Sequence, residues 1–408
     1  TIEVERSLRV LDGAVAVFDS VACVEPQSET VNNQANRYKV PRICFVNKMD
    51  RVGADYKRCI KEINEKLGLT PLVLTLPIGE ESGFKGVVDL VSMKSYIWEG
   101  EDLGASFVAT KLTEAELTDE IQEARASLLE KLIDICEDDE IINKYFETQE
   151  VDEKVVRSLI RKGTLCLKVV PVMCGSAFKN KGVQLLLDAV VDYLPAPTDV
   201  PAIVARTKKN EIIPNFKCDL DKPFSALVFK LMTDPFVGSL AFIRIYSGKI
   251  SKGEKIQAAS LKKNVSIGRI IEMHAKDRED IETASAGDIV AIPGLDVRTG
   301  DTLSAVNFDI LLEKMTFPTP VVERSIQAAT KADQEKLSNA LQKFTREDPS
   351  LIIETNEETG ETLIKGMGEL HLEIIIDRMK REFQVSANVG QPNVAYRKIY
   401  KSKKHKRI

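Results

Sequence analysis

Residues 41–51 read Pro41-Arg42-Ile43-Cys44-Phe45-Val46-Asn47-Lys48-Met49-Asp50-Arg51 (PRICFVNKMDR). A short apolar run bounded by turn signals is the mark of a strand buried on both faces, as in a parallel sheet covered by helices. Arg42 to Val46 is such a run. Polar residues take over at Asn47, where the strand ends, and open α/β sheets bind ligands outside the carboxyl ends of their strands. Asn47-Lys48-Met49-Asp50 suits a purine that presents two adjacent N–H donors, namely guanine. A carboxylate at Asp50 accepts both as a bidentate, charge-assisted pair. The Asn47 amide can donate toward the acceptor side of the base and tie neighbouring loops. Lys48 can lay its methylene stem over the base plane. Adenine offers the opposite edge pattern and would leave Asp50 unpaired, which a site built to hydrogen-bond its ligand penalises heavily.

A second stretch repeats the grammar. Val169 to Cys174 (VVPVMC) is another apolar run, followed by Gly175-Ser176-Ala177. A helix comes next, with apolar residues at Val183, Leu186, Leu187, Val190 and Leu194, and Pro195 and Pro197 stop it. Small residues after the strand let a backbone N–H approach the guanine oxygen. The candidate base-binding residues are therefore Asn47, Lys48, Met49 and Asp50 from the first loop, and Ser176, Ala177 and Phe178 from the second.

Outward from these loops the chain changes texture several times. Val4, Leu8 and Leu11 give a short helical stripe that Gly13 can end. Ala14 to Asp19 (AVAVFD) reads as another buried strand. Ser28 can cap a helix running to about Tyr38. These pieces alternate as a βαβ sheet does, which makes 1–71 and 163–200 two halves of one α/β domain. Between them, 72–162 reads as an insertion, with strand-like pieces at Leu72 to Pro77, Gly86 to Val91 and Ser95 to Trp98, then acidic helices. Beyond a PAPTDVP linker, strands at regular spacing over 203–312 suggest a β-barrel. The order βαββαβ over 317–394 is the split, ferredoxin-like motif. A lysine-rich end occupies 395–408.

Bulk properties exclude more than they select. The 408 residues carry a net charge of −5, which argues against a generally basic nucleic-acid coat. Seven cysteines are scattered without a CxxC pair and only three histidines occur, so neither a zinc site nor a disulfide framework is expected, and a reducing compartment is favoured. Cys44 and Cys174, inside apolar runs, read as small core hydrophobes. No apolar run reaches the ~18 residues needed to span a bilayer. His371, in Gly-Glu-Leu-His-Leu, has no partner acid or nucleophile at a telling spacing, and it and His274 read as structural. Arg378, Lys380 and Arg381 form a basic cluster on a helix.

Taken together, the two loops resemble the fourth and fifth sequence motifs of the Ras-like GTPases, and the surrounding text resembles elongation factor G. The resemblance rests on residues 1–13 (TIEVERSLRVLDG), 41–51, 174–184 (CGSAFKNKGVQ), 234–238 (DPFVG), 331–335 (KADQE), 366–372 (GMGELHL) and 377–383 (DRMKREF). It touches the α/β domain, the β-rich stretch and the βαββαβ unit. It implies a partial Ras-like GTPase domain with an inserted G′ subdomain, a translation-factor domain II barrel, a ferredoxin-like domain III and, at 395–408, the opening of a domain IV or a tail. It also implies GTP and GDP as ligands, Mg²⁺ in the complete protein, and the ribosome as partner, with its rRNA and proteins and, indirectly, the tRNA–mRNA complex. The family drives ribosomal translocation. Ribosome-protection and recycling paralogues share the layout, and a non-catalytic ribosome-binding module is the alternative from another class. A monomer without membrane attachment is expected, in the cytoplasm of a bacterium or in an organelle (plastid, apicoplast or mitochondrion) of a eukaryote.

Some family features are not in these residues. The GxxxxGK[ST] phosphate loop, the switch I threonine that helps hold Mg²⁺ and the Asp-x-Pro-Gly-His segment do not occur. Phosphate binding relies on backbone N–H groups, a lysine and a metal. The 408 residues alone are therefore expected to hydrolyse no GTP, to bind guanine weakly and to hold no catalytic residue. The first ~200 residues are expected to be marginally stable, because strands without partners expose apolar edges. Asn33 and Lys398 depart from the family pattern, which commonly has a tryptophan and an acidic residue there.

Overall fold

The computed structural model describes residues 2–98, 104–234, 238–258, 264–274, 277–312, 319–331 and 333–393. The expected domain IV opening at 395–408, with Lys398, lies outside the described residues, as do the middle of the 234–238 motif and Ala332. The chain divides into two units, Thr1–Pro201 and Ala202–Ile408.

The first unit begins with helix α1 (Ile2–Leu8), strand β1 (Ala14–Asp19), helix α2 (Pro26–Arg37), strand β2 (Arg42–Asn47), helix α3 (Tyr56–Leu67) and strand β3 (Pro71–Val73). After the insertion come strand β8 (Val170–Cys174) and helix α7 (Val183–Tyr193). The four strands form a parallel sheet in the order β1-β2-β8-β3. Strand β2 is central and covered on both sides. Ile43 and Phe45 enter one apolar cluster and Cys44 and Val46 the other, so alternate side chains feed opposite faces. Helix α3 is held by local chemistry: Asp55 caps it by accepting from the Arg58 N–H, and Gly68 ends it in the left-handed conformation. Helix α2 starts two residues before Ser28, because Pro26 takes the first helical position, where no N–H is needed.

Strand β1 is the sheet edge. Val17 is 60% exposed on it, and on α7 Leu187 and Val191 also face solvent. Apolar residues on an edge strand and a helix face are the surfaces another segment would cover.

The insertion contains strands β4 (Thr75–Ile78), β5 (Gly86–Asp89), β6 (Lys94–Ile97) and β7 (Val108–Lys111), then helices α4 (Asp119–Ile133), α5 (Asp139–Thr148) and α6 (Glu153–Leu165). The strands form an antiparallel meander. Leu72 to Pro77 is not one strand, as the sequence suggests. Pro71–Val73 pairs in parallel with β8 in the main sheet, while Thr75–Ile78 pairs with β5. Hydropathy cannot see this break, because both pieces are apolar. Leu128, Leu129 and Leu132 of α4 and Val156 and Ile160 of α6 share one core with β2 and β3. The buried Arg125 reaches back to the Leu90 carbonyl.

One expectation is corrected by the cysteines. Cys23 and Cys59 are joined as a disulfide between the turn after β1 and helix α3. The two positions are 36 apart in sequence, and only the fold brings them together. Burial pushes the Cys44 and Cys174 thiols up to about 12, which leaves them inert core residues.

The second unit starts with a small sheet of Ile203–Arg206, Ile212–Phe216 and Leu311–Leu312. These outer stretches of the 203–312 region pair with one another. Within them, a curled eight-stranded antiparallel sheet is built around the hairpin Ser225–Asp234 and Gly238–Ser247. Ala226, Val228, Ile243, Ile245, Ile292 and Leu303 fill its core. The last module is a four-stranded sheet, in the order Ile352–Thr355, Thr362–Gly366, Val322–Ala328 and Ala387–Gly390, packed against helices α8 (Asp333–Glu347) and α9 (Glu369–Phe383). Its order of elements is βαββαβ. The molecule is thus a multidomain α/β, β-barrel and α+β fold.

The end of α8 joins this module to the barrel. The Thr299 N–H and hydroxyl donate to the Arg346 and Glu347 carbonyls, and the Glu347 carboxylate accepts from Thr233 and Arg378. Arg378, read from sequence as part of a basic face, is therefore tied inward and lies over the Phe344 ring. His371 also acquires an acid that its sequence spacing did not suggest. Its Nδ1 accepts from the Met367 N–H, so Nε2 carries the proton toward Asp348 at 3.0 Å. The role remains structural: the ring anchors the glycine-rich turn before α9.

Candidate functional site

Both predicted loops emerge from neighbouring strands at the same end of the sheet. Strands β2 and β8 run parallel with Val46 opposite Cys174, so the residues after each are forced side by side. Backbone bonds stitch them: the Met49 N–H donates to the Gly175 carbonyl and the Gly175 N–H to the Val46 carbonyl. Position 175 has no room for a side chain. A Cβ there would stand 2.4 Å from the Lys181 carbonyl oxygen and 2.7 Å from the Phe45 ring. The second loop closes on itself through paired backbone bonds between Ser176 and Lys181, and Gly182 then turns the chain into α7 with φ +84°.

Asn47 Oδ1 accepts from its neighbour's N–H at Lys48 and, across the site, from the Ala177 N–H at 2.8 Å. The amide thus links the two loops. It also takes up the Ala177 N–H that the sequence reading directed at the guanine oxygen. Met49 is buried beneath the loop, and Phe178 stands 94% exposed beside it.

Asp50 sits at the centre. Lys179 Nζ lies 3.1 Å from its Oδ2. Burial works to raise the Asp50 carboxyl, but the Ser176 hydroxyl and the Lys179 ammonium that face it prevail and hold it below the ordinary carboxylate value. Ser176 is buried, 1% exposed, with its hydroxyl facing the Asp50 carboxylate.

Lys48 adopts φ +65°, uncommon for a side chain of its size. Its Nζ is 2.7 Å from Asp19 Oδ2, where Arg51 also contributes at 3.4 Å. Asp19 ends β1 directly opposite Asn47. Its carboxyl lies below the ordinary value, chiefly through its bond to Lys48, aided by the Val21 and Ala22 N–H groups against the effect of burial. The buried Ser20 hydroxyl donates to the Lys48 carbonyl and fixes the same turn. Sequence reasoning missed Asp19 and Lys179. A charged residue ending an apolar strand run was the available signal for Asp19. Lys179 gave none, since nothing in its neighbourhood names Asp50.

A carboxylate, a buried hydroxyl, an amide and a glycine-tight backbone converge at the ends of β2 and β8. Among the described residues no group of three or more His, Cys, Asp or Glu could hold a metal ion.

Three family models match the chain in succession. Residues 1–196 match the elongation factor Tu GTP binding domain, 223–306 match elongation factor G domain 2, and 317–391 match elongation factor G domain III. The sheet, its paired loops and this first match define the class: a translational GTPase. The order of the three domains is more particular, and the chain belongs to the elongation factor G type. Among solved structures, it is similar to the crystal structure of ttk003000868 from Thermus thermophilus, at 27% sequence identity and a TM-score of 0.79. That match covers 96% of this chain and 56% of the other, so the chain spans little more than half the length of the protein it resembles.

Proposed function

We propose that this chain is the guanine-reading and scaffold portion of a factor that couples GTP binding and hydrolysis to tRNA–mRNA movement on the ribosome. One observation carries the reading: two loops from adjacent parallel strands, joined by Asn47 to Ala177, set Asp50 beside the buried Ser176 hydroxyl. Asp50 would accept the two donors of guanine, Ser176 would support that carboxylate, and Asn47 would hold the loops in register. The Met49 and Gly175 backbones make the floor. Phe178 lends its ring to the rim. In the complete protein, phosphate binding and Mg²⁺ would neutralise the transferring group, and nucleotide-dependent ordering would couple the G domain to domain III. Elongation factor G domains II and III in this order support the ribosome as the partner.

The test uses the complete protein. An amide at position 50 offers a donor where xanthine carries an acceptor. Asp50→Asn should therefore lose translocation with GTP and recover it with XTP, measured by movement of the mRNA through the ribosome. Unchanged use of GTP would count against both the site and the activity assigned to it.

A further inference from the structure

We propose that Lys179 is an internal placeholder for guanine: its ammonium pairs with the Asp50 carboxylate, and an arriving base must displace it, so the pair sets both base affinity and base selectivity. The inference rests on the guanine reading above and adds a regulator to that site.

The geometry separates fixed from movable parts. Asp50 is the more enclosed partner, with its side chain 16% exposed against 44% for Lys179. The backbone carrying Lys179 is pinned by the Ser176–Lys181 pair and by the Asn180 N–H on the Ala177 carbonyl. Exchange therefore requires only a swing of the lysine stem. A lysine ammonium is a point charge on a flexible chain, whereas guanine brings two parallel donors that match a carboxylate bidentately. Guanine can replace what it removes. Adenine, with one donor beside an acceptor, cannot, so the lysine acts as a built-in competitor against the wrong base. The two nearby lysines among the described residues cannot take over its place. Lys48 is held by Asp19, and Lys181 reaches the Phe84 carbonyl. Nor is Lys179 needed to ionise Asp50 near neutrality, since an ordinary aspartate is already charged there.

The probe is guanosine, titrated into the full chain and followed by saturation-transfer NMR. Lys179→Met keeps the stem and removes the charge. It should bind guanosine about two- to fivefold more tightly, the range expected for releasing a partly exposed ion pair. Raising salt from about 0.05 M to about 0.5 M should strengthen guanosine binding by the wild type, by screening the competing pair, and leave Lys179→Met unchanged. Lys179→Arg, which keeps the charge, should behave as the wild type. Equal or weaker binding by Lys179→Met, the same salt response in both, or no binding by the variant at millimolar guanosine would overturn the proposal. Asp50→Asn separates the two levels. If preference for guanosine over adenosine survives that change, the base reading itself fails. If preference requires Asp50 and ignores Lys179, only the placeholder falls.

Discussion

A carboxylate selects among bases only to the extent that its other partners can be exchanged. Around this pocket each acid holds a lysine: Asp50 holds Lys179, and Asp19 holds Lys48. Both carboxyl groups sit below their ordinary values when folded. The sign follows directly: their contribution to stability is complete above the unfolded value near 3.8 and disappears as pH falls through the lower folded values. Asp50→Asn should therefore flatten the loss of stability as pH falls below 3.8, measured by urea midpoints across pH. A steeper loss in the variant would contradict the pairing. Gly175→Ala tests the floor of the pocket. Its new methyl group meets a carbonyl and an aromatic ring, and overpacking of that kind costs about 1–3 kcal/mol. An unchanged urea midpoint would mean that the loops are looser than the structure shows. At this scale Asp50 and Asn47 could be named as candidates from the sequence, because their polar groups are spelled out within four adjacent residues. Lys179, Asp19 and the Cys23–Cys59 pair were not, since each acts on a residue from a different loop or element.

Elements explain why some pieces of this chain hold firmly and others do not. Strand β2 has a partner on each side and a core on each face; β1 has one partner and shows Val17 to solvent. Amide exchange should accordingly be slow along β2 and β8 and faster by several orders of magnitude along β1. Strong protection of β1 as well as β2 would refute the marginal stability expected of this region. In the second unit, Glu347 is the hinge-pin between barrel and domain III. Its carboxylate accepts from Thr233 and Arg378 with only 12% of the side chain exposed. Glu347→Ala should destabilise this unit by about 1 kcal/mol, the net worth of a typical hydrogen bond, because Thr233 loses its acceptor while Arg378 keeps Glu382, read as a lowered denaturation midpoint. Periodicity located β1, β2, β8, α7 and the elements of the last module, but passed over α3 and β7. It misplaced the start of α2, where a proline at the first turn outranked a serine cap, and it fused β3 with β4. Two apolar strands of different sheets look like one strand when nothing polar divides them.

For the molecule as a whole, the order of domains was readable from texture alone: an interrupted α/β sheet, a β-rich stretch, then βαββαβ. The pairing of the outer strands with each other in the second unit was not, because strand partners far apart in sequence leave no local pattern. What the chain does depends on whether the meeting point of β2 and β8 reads a base. The most direct measurement is a backbone amide spectrum of the full chain, uniformly labelled with ¹⁵N, as guanosine and then adenosine are added. Guanosine should move the amides of Asn47 to Arg51 and Ser176 to Lys179 and few others, while adenosine at the same concentration leaves them in place. Shifts that avoid both loops, or that appear equally with adenosine, would contradict the account.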